Sequence, residues 1–315
     1  MKILITGSAG FIGYHLANRL SQDEENQIWC LDNFSRGERD TQYVELLVKK
    51  NVNEISFRKN VYKSLIEFNQ SFDIIFHFGA INGTQNFYAR PFTVLEASSA
   101  PTLDVLKFIE NKNFKTKLIF AGTPESYAAT IQRDHGPLPT GENVDLLVLS
   151  DYEPRWSYAV AKTFSEYSIK SFSDEFELEY MILRFHNIYG TRMGDKHFVP
   201  DVLERLRQND LRVFGVDQTR SFMYIDDAVN SIVKLIKNRK AYGQTINIGS
   251  DREITIREAA DVIKNALGLK AEIIGFPGPS GSVFRRVPEI SKLKSLINLG
   301  ELITFEDGIK KIINA

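Results

Sequence analysis

The chain has 315 residues, of which 43% are hydrophobic and 25% are charged, a balance that is typical of a globular protein with a sizeable core. The 39 Lys and Arg residues nearly balance the 40 Asp and Glu residues, which argues against nucleic acid or an anionic membrane as the partner. The single cysteine, Cys30, excludes an intramolecular disulfide and a multi-cysteine zinc site, and we expect no metal site.

No stretch reaches the roughly 18 consecutive apolar residues that a bilayer span requires. The first five residues superficially resemble the start of a secretory signal, but the apolar run stops at Thr6. Acidic residues 23–25 follow, without a small-residue cleavage site. We therefore interpret the N-terminus as a buried strand and expect a cytoplasmic protein.

Short apolar runs alternate with longer helical patterns over the first two thirds of the chain, which predicts a parallel sheet with crossover helices on both faces. The predicted strands are nearly continuously apolar and comprise residues 2–6, 28–32, 55–58, 73–78, 117–121 and 181–185. The predicted helices comprise residues 11–20, 91–110 and 156–176, and a further strand covers residues 245–248. These patterns predict an α/β fold with a doubly wound parallel sheet of the Rossmann type.

After about residue 184 the elements become shorter and are separated by Gly and Pro, as in the loop at residues 276–282. This change predicts two domains. The first covers residues 1–184, with residues 220–250 packing back onto it. The second is a smaller α/β domain over residues 185–315.

A glycine motif, residues 6–13 with the sequence TGSAGFIG, directly follows the first predicted strand. Glycines at this spacing allow a sharp turn, a close approach to a pyrophosphate and tight packing of the next helix, whose first amides favour phosphate. Asp32 ends the second strand 19 residues after Gly13, near the spacing at which an acid binds ribose hydroxyls. A carboxylate there favours NAD over NADP, although Arg36 softens that preference. The simpler alternatives are an ordinary glycine turn and a surface aspartate.

Tyr158 and Lys162 lie four residues apart, on one face of a predicted helix. A phenol with its usual pKa of about 10 is a poor base, but a nearby ammonium and an oxidised nicotinamide both favour the phenolate. In a chain of this composition about one such spacing is expected by chance, so the pair gains meaning only beside other motifs.

Taken together, these motifs resemble those of the extended short-chain dehydrogenases/reductases of the nucleotide-sugar epimerase and dehydratase type, over essentially the whole chain. Further segments that carry the resemblance are residues 32–37, 73–80, 120–127 and 184–190. The resemblance implies NAD as the cofactor. The cofactor-binding residues that it implies are Gly7, Gly10, Phe11, Ile12, Gly13, Asp32, Asn33, Asn60, Val61, Phe78, Gly79, Ala80, Tyr158 and Lys162. At two of these positions the family usually has another residue, Asp in place of Asn60 and Ala in place of Gly79.

The resemblance also implies hydride transfer between C4 of a sugar and the nicotinamide, which first produces a 4-keto sugar. Tyr158 would take the hydroxyl proton, Lys162 would hold the nicotinamide ribose and lower the tyrosine pKa, and Thr123 would orient the substrate oxygen. A C4 epimerase or C4 dehydrogenase needs nothing more. We expect one of these activities, in the synthesis of surface-polysaccharide sugars.

Two neighbours of Thr123 bear on alternative reactions. Pro124 stands where related dehydratases carry an acidic residue, which disfavours a 4,6-dehydratase. Glu125, together with Arg155 and Trp156, resembles the pattern of nucleotide-hexuronate decarboxylases, and Glu125 is a catalytic candidate; a structural carboxylate capping the following turn is the simpler reading. The alternative from another class is a non-catalytic NAD-binding sensor.

The C-terminal part resembles the family's nucleotide-sugar segment, with Val213 on the base, Arg220 on the pyrophosphate, and Ser282 and Arg286 closing over it. The substrate-binding residues implied by the resemblance are Asn187, Val199, Val213, Arg220, Ser282 and Arg286. A solvated basic pair is the alternative reading of Arg285 and Arg286. The expected partners are a GDP- or UDP-linked sugar and a second copy of the chain, which would join through a four-helix bundle containing the Tyr–Lys helix.

Overall fold

A computed structural model of the chain describes residues 1–68, 70–112, 115–134, 136–195, 197–278 and 282–315. Residues 279–281 of the loop rich in Gly and Pro therefore lie outside the described residues. Within the described ranges, no helix combines the length and the apolar character that crossing a membrane would require.

Strands and helices alternate along the first half of the chain, as the apolar pattern predicts. The strands are β1 (Lys2–Thr6), β2 (Gln27–Leu31), β3 (Val52–Ile55), β4 (Ile74–His77), β5 (Lys117–Gly122), β6 (Glu179–Phe185), β7 (Ile188–Tyr189), β8 (Arg212–Phe214), β9 (Thr219–Ser221), β10 (Met223–Tyr224), β11 (Gln244–Ile248), β12 (Glu253–Thr255), β13 (Ile274–Phe276) and β14 (Arg285–Arg286). The helices are α1 (Phe11–Leu20), α2 (Thr41–Leu47), α3 (Val61–Leu65), α4 (Thr84–Ala89), α5 (Pro91–Lys112), α6 (Ala128–Asp134), α7 (Ser157–Phe176), α8 (Phe198–Arg207), α9 (Ile225–Leu235), α10 (Ile256–Ala266), α11 (Ser291–Leu296) and α12 (Phe305–Ile313). Short 3₁₀ helices cover Pro124–Tyr127, Pro154–Trp156 and Arg239–Ala241.

The central sheet has seven strands in the order β11-β6-β5-β4-β1-β2-β3. Strand β1 pairs in parallel with both β2 and β4, so the direction of winding reverses beside β1. In open α/β sheets, ligands bind outside the carboxyl ends of the strands at such a reversal. The predicted α/β class with a doubly wound parallel sheet is confirmed, and the reversal lies at the glycine motif.

Aromatic and branched side chains between the sheet and its helices form a large core cluster. Trp29 of β2 meets Phe72 edge-on with ring centroids 5.5 Å apart, and Phe72 in turn contacts Phe108 of α5 at 6.2 Å. Phe108 and Phe120 are fully buried in this cluster. All four side chains of β4 are buried, so both faces of this strand are covered, which explains its continuous apolar run.

Most predicted elements match the structure within two residues at each end, but the third strand was predicted in the wrong place. The apolar pattern suggested residues 55–58, whereas β3 is Val52–Ile55. This strand lies at the edge of the sheet and exposes Asn53 and Glu54, so only its two terminal side chains are buried. An edge strand need not be continuously apolar, so the apolar pattern placed this strand three residues too far along the chain.

The chain divides into two compact units. The first contains residues 1–126, 148–184 and 236–245, and the second contains residues 127–147, 185–235 and 246–315. This differs from the predicted boundaries, because residues 127–147 group with the second unit and only residues 236–245 of the segment 220–250 group with the first.

Long-range hydrogen bonds account for both differences. In the second unit, the Tyr127 hydroxyl donates to Asn247 Oδ1 at 3.0 Å, and Asn247 Nδ2 donates to the carbonyl oxygen of Thr140 at 3.0 Å. In the first unit, the Gly243 amide donates to the carbonyl oxygen of Tyr180 at 2.7 Å. Neither pairing is visible in local sequence spacing.

Candidate active site

The glycine motif forms a tight turn between β1 and α1. Gly7 has a φ of +74°, and a Cβ added to it would lie 2.6 Å from the Gly79 amide nitrogen. A Cβ on Gly13 would collide with the carbonyl oxygen of Gly7. Helix α1 begins at Phe11 with Gly10 as its N-cap, so no capping side chain covers the first-turn amides of Phe11 and Ile12. This geometry fits a bound pyrophosphate, whose oxygens accept from such amides.

Asp32, just after β2, lies against the glycine turn. Its carboxylate accepts hydrogen bonds from the amides of Ala9 at 2.9 Å and Phe34 at 2.7 Å. Burial raises the pKa of Asp32, and these backbone N–H groups act against that rise. Next to it, the Asn33 side chain accepts from the Ser35 amide at 3.0 Å. Asp32 therefore braces the turn at the place where a ribose-binding acid is expected.

Two residues that the resemblance assigns to cofactor binding have structural roles at the start of α3. Asn60 is the N-cap of α3, and its side chain accepts from the Lys63 amide at 2.8 Å. Val61 is only 8% exposed and packs into the main core cluster. Their contact with an adenine stays a prediction.

The end of β4 continues the expected cofactor surface. The Phe78 amide donates to the carbonyl oxygen of Thr6 at 3.1 Å, which keeps this segment beside the glycine turn. Ala80 packs against the small apolar cluster that includes Phe87 and Tyr158. The structure thus brings Gly79 and Ala80 close to the glycine turn on one side and to Tyr158 on the other.

Tyr158 lies in the first turn of α7, buried to 7% exposure, with the Phe87 ring stacked on it at a centroid distance of 5.3 Å. Burial raises the pKa of Tyr158 to about 12, and the negative charge of Glu125 adds to this rise. The positive charge of Arg36 and hydrogen bonds with Asn82 and Thr123 lower that pKa.

Lys162 lies one turn further along α7 and is 1% exposed. Its ammonium donates to the carbonyl oxygen of Ala121 at 2.9 Å and lies 4.5 Å from the Phe120 ring centroid. Burial lowers the pKa of Lys162 to about 7, while the nearby Glu166 carboxylate raises it. Its nitrogen is 5.9 Å from the Tyr158 ring centroid, so the two groups are neighbours.

Thr123 and Glu125 follow β5 in the segment that faces Tyr158. The Glu125 amide donates to Thr123 Oγ1 at 3.2 Å, which fixes the threonine hydroxyl beside the turn. The Glu125 carboxylate lies 3.9 Å from an Arg155 Nη atom, and both side chains are largely buried. Among the residues that the structure describes, Arg155 Nε and Trp156 Nε1 are buried without a hydrogen-bond partner. Buried donors of this kind are available to a bound polar molecule.

In the second unit, the predicted substrate residues are spread over several elements: Val213 lies on β8, Arg220 on β9, Arg286 on β14, Val199 on helix α8, Asn187 just before β7 and Ser282 before β14. Asn187 donates through its side chain to the carbonyl oxygen of Ser221 at 2.9 Å. Val199 and Val213 are each 2% exposed. Arg220 contacts the carbonyl oxygens of Thr219 at 2.7 Å and of Phe284 at 3.2 Å, and Ser282 is half-buried.

Strands β9 and β14 place two arginines side by side. They run in parallel with Arg220 opposite Arg286, so both side chains leave the same face of this small sheet. Arg285 faces the other way and forms a bidentate pair with Glu253, at 2.7 and 2.8 Å. Glu253 therefore already neutralises Arg285 within this sheet. For Arg285, this pairing decides against the alternative reading of a solvated basic pair.

Several residues near the site were not among the predicted site residues. Phe87 and Asn82 contact Tyr158 from the segment after β4, and Arg36 influences Tyr158 from the loop after β2. Gly37 is required for packing, because a Cβ there would lie 2.5 Å from the Ala9 backbone. Arg36 and Gly37 had a sequence signal, since both lie in the segment 32–37 that carries the resemblance; nothing in the spacing marks Phe87 or Asn82 as a neighbour of Tyr158.

Comparison with known proteins identifies the family. The family model "NAD dependent epimerase/dehydratase family" matches residues 3–249. A UDP-N-acetyl-alpha-D-glucosaminuronate decarboxylase of Bacillus cytotoxicus is 32% identical over 99% of this chain and 96% of its own length. The UDP-glucuronic acid decarboxylase 1 of Danio rerio is 29% identical, over 99% of this chain and 72% of its own.

Solved structures share the fold at lower identity. A UDP-glucose 4-epimerase of Thermotoga maritima has a TM-score of 0.85 and 23% identity, covering 100% of this chain and 98% of that one. A UDP-glucuronic acid 4-epimerase of Bacillus cereus, in complex with UDP-glucuronic acid and NAD, has a TM-score of 0.84 and 24% identity with the same coverage. The glycine turn, Asp32 and the buried Tyr158 and Lys162 fit this cofactor. The chain therefore belongs to the NAD-dependent epimerase/dehydratase family and is an NAD-dependent enzyme of the extended short-chain dehydrogenase/reductase type.

Proposed function

We propose that this enzyme oxidises the C4 hydroxyl of a UDP-linked sugar to a 4-keto sugar and acts as a C4 epimerase or C4 dehydrogenase. The observation that carries the proposal is the grouping of Thr123, Tyr158 and Lys162 in one buried site, beside the cofactor residues of the same unit. NAD, when bound, supplies the acceptor for the hydride that leaves C4.

The roles of the side chains follow from their positions. Tyr158 takes the C4 hydroxyl proton, because it is the buried phenol that Thr123 contacts. Thr123 would orient the reacting oxygen beside that phenol, with which it forms a hydrogen bond. The positive charge of Arg36 favours the phenolate, and the Lys162 ammonium would act in the same direction, since positive charge nearby stabilises negative charge in a buried site.

The second unit would hold the nucleotide through Arg220 and Arg286. Two guanidinium groups that leave the same face of neighbouring strands suit a pyrophosphate, whose oxygens can accept hydrogen bonds from both. The UDP-linked substrates in the names of the relatives support uridine as the base. A GDP-linked sugar remains the alternative from sequence.

Decarboxylation of a UDP-linked hexuronate is the second candidate. It is favoured by the Glu125–Arg155 pair in the site and by the 32% identity with a decarboxylase. A 4-keto group is an electron sink for loss of carbon dioxide, so this reaction needs no acid at position 124, where this chain has Pro124. Both candidates share the same first oxidation.

The test is to incubate the NAD-loaded protein with UDP-glucose, UDP-N-acetylglucosamine, UDP-glucuronate and their GDP-linked counterparts. Reduced-nicotinamide absorbance and product mass are followed together. We expect Tyr158→Phe to lower turnover by about 10²–10⁴-fold, the usual contribution of a positioned acid–base group. Tyr180→Phe is the control, because Tyr180 lies at the opposite end of β6 from the site.

Each outcome has a definite meaning. Lasting absorbance indicates a dehydrogenase, and unchanged mass with inverted C4 indicates an epimerase. Loss of carbon dioxide from UDP-glucuronate indicates the decarboxylase, and Arg155→Leu should then impair this substrate far more than UDP-glucose. Conversion of no sugar would contradict the proposed function and favour the NAD-binding sensor.

We also propose that the enzyme is a homodimer joined through α5 and α7. Helix α5 exposes Phe92 and Leu95, at 74% and 39%, and Leu103, at 37%. Helix α7 exposes Phe164 at 48% and Tyr167 at 68%. Large apolar side chains clustered on adjacent helices are typical of a surface that another protein covers. Two such helix pairs would form the expected four-helix bundle.

A further inference from the structure

A chain of hydrogen bonds crosses the interior of the first unit from β1 to α7. Thr6 Oγ1 and His77 Nδ1 are 2.7 Å apart, and His77 Nε2 is 3.2 Å from Thr102 Oγ1. Thr102 Oγ1 lies 3.1 Å from Ser165 Oγ. All four side chains are at most 2% exposed, so water does not compete for these bonds.

The direction of each bond follows from counting protons. Ser165 has one hydroxyl proton and directs it to backbone carbonyls, that of Ala161 at 2.9 Å and that of Ser98 at 3.2 Å. Ser165 Oγ must therefore accept from Thr102, whose single proton is then used. Thr102 Oγ1 must accept from His77 Nε2–H.

The same count fixes the state of the imidazole. A neutral histidine carries one ring proton, so with Nε2 protonated, Nδ1 accepts from the Thr6 hydroxyl. Burial and the nearby Lys162 charge lower the pKa of His77 to about 3, which agrees with a neutral ring. A protonated His77 would need an acceptor at Nδ1, where the Thr6 hydroxyl donates.

The two ends of this chain lie at the two halves of the active site. Thr6 immediately precedes Gly7 of the glycine turn, and His77 lies two residues before Gly79. Ser165 lies on α7 three residues after Lys162, within one helical turn. The chain therefore connects the strands that carry the cofactor surface with the helix that carries the catalytic pair. His77 contacts none of Thr123, Tyr158 or Glu125 through the hydrogen bonds described above.

We propose that His77 is a positioning residue: as the neutral Nε2–H tautomer, it ties α7 to β1 and β4 through Thr102 and Ser165 and so sets the placement of Lys162 and Tyr158. Its catalytic consequence rests on the proposed function. A displacement of about 1 Å in such a site can lower a rate by about a hundredfold, so loss of this hydrogen-bonded link should slow the reaction measurably.

The first test reads the tautomer directly and needs no substrate. Nitrogen NMR of protein labelled at the histidine rings should show one residue with Nε2 protonated and Nδ1 bare, unchanged between about pH 5 and pH 9. The His77→Gln variant assigns that signal by its disappearance. A Nδ1–H tautomer at this residue, or its titration within that range, would overturn the proposal.

The second test breaks the chain at Thr102 without changing its shape. Thr102→Val removes the hydroxyl, and Thr102→Ser retains it. We expect the valine variant to lower kcat about tenfold or more, to leave KM for the sugar within about twofold, and to shift the pH–rate profile, with serine restoring all three. Thr116→Val is the matched control, because Thr116 is also buried and its hydroxyl has no partner among the described residues.

A change in the pH–rate profile distinguishes a positioning role of the Thr102 hydroxyl from an effect on stability alone. The groups that face Lys162 are Glu166 and Tyr158 on its own helix, His77 on β4, and Phe120 and the Ala121 carbonyl on β5. If Thr102→Val lowers Tm but leaves kcat and the pH profile unchanged, the positioning role is wrong.

Failure of the proposed function would give a different pattern. If none of the sugars is converted, the proposed function is contradicted. The NMR experiment still tests the His77 tautomer independently, because it needs no substrate. The placement of Lys162 is then measured through NAD affinity, which Thr102→Val should lower and Thr102→Ser should restore. Equal NAD affinity in all three proteins would overturn the positioning role.

Discussion

At the scale of single residues, the glycine turn is the most demanding part of the cofactor site. The space beside Gly13 is filled by the Gly7 carbonyl, whereas a Cβ on Gly79 would find its nearest neighbour at 3.5 Å, an ordinary contact. The two glycines of the same surface therefore differ in what they tolerate. Gly79 departs from the family's usual alanine without any steric need.

Two substitutions test this difference. Gly13→Ala should displace the turn and weaken NAD binding by about tenfold or more, since a backbone that cradles a pyrophosphate cannot shift without losing its contacts. Gly79→Ala should leave NAD affinity within about twofold and serves as the matched control. Titration calorimetry with NAD measures both. Equal losses in the two variants would show that the turn does not form the cradle.

The burial of Lys162 predicts a pH dependence of stability. Its folded-state pKa is about 7, below the unfolded value of 10.5, so the unfolded chain binds more protons between these values. The free energy of unfolding that depends on Lys162 must therefore rise with pH across that window. Below about pH 7, Lys162 is protonated in both states, and the folded state carries the full free-energy cost of burying its charge.

Comparison with Lys162→Met isolates this effect. The stability of the wild type relative to this variant should increase from pH 7 to pH 10, by an amount of the order of a few kcal/mol. Urea unfolding at the two pH values measures it. Lys170→Met, on the same helix but only half-buried, should show a much smaller change. A pH-independent difference for Lys162→Met would contradict the predicted burial cost.

At the scale of elements, the short helix α2 braces the glycine turn. Asp40 is its N-cap, with its side chain accepting from the Tyr43 amide at 2.8 Å. The Tyr43 hydroxyl lies 2.8 Å from Ser8 Oγ within the turn, and both side chains are fully buried. Helix α2 therefore helps to fix the glycine turn, the segment that would hold the pyrophosphate.

Tyr43→Phe should weaken NAD binding by up to about tenfold, because it removes one buried hydrogen bond to Ser8 while keeping the ring. The Phe34–Tyr43 ring contact, at 5.9 Å between centroids, would remain. NAD affinity and the unfolding midpoint are measured together. An unchanged affinity with a lowered midpoint would show that Tyr43 stabilises the unit without shaping the turn.

Elements differ in how well the local pattern predicts them. Strand β1 and helix α1 have the predicted bounds, since an interior strand shows an unbroken apolar run and α1 follows a glycine turn. Strand β3 was misplaced because an edge strand exposes its middle residues. Helix α5 runs through Pro101, where a proline would ordinarily argue for a break, and its packing overrides that preference.

At the scale of the whole molecule, the proposed dimer would form through the exposed face of α5 and α7. Tyr167→Arg and Leu103→Arg should convert a dimer into a monomer, because a buried guanidinium without a partner destabilises an interface. Light scattering at about micromolar concentration measures the mass. Tyr152→Arg, at a tyrosine that is 75% exposed outside these helices, is the control. A monomeric wild type would contradict the proposed bundle.

The sequence by itself determined the α/β class, the NAD cofactor and the family. Each depends on residues close together in the chain: a strand, turn and helix for the glycine motif, and a spacing of four for Tyr158 and Lys162. Local backbone geometry requires such patterns, so they can be recognised in the sequence without the tertiary structure.

Only the tertiary structure decided which distant residues meet. It stacked Phe87 on Tyr158, joined Tyr127 to Asn247 across 120 positions, and linked His77 to Ser165 through Thr102. These contacts form because burying polar groups requires partners wherever the packed elements place them, and no sequence spacing records that placement.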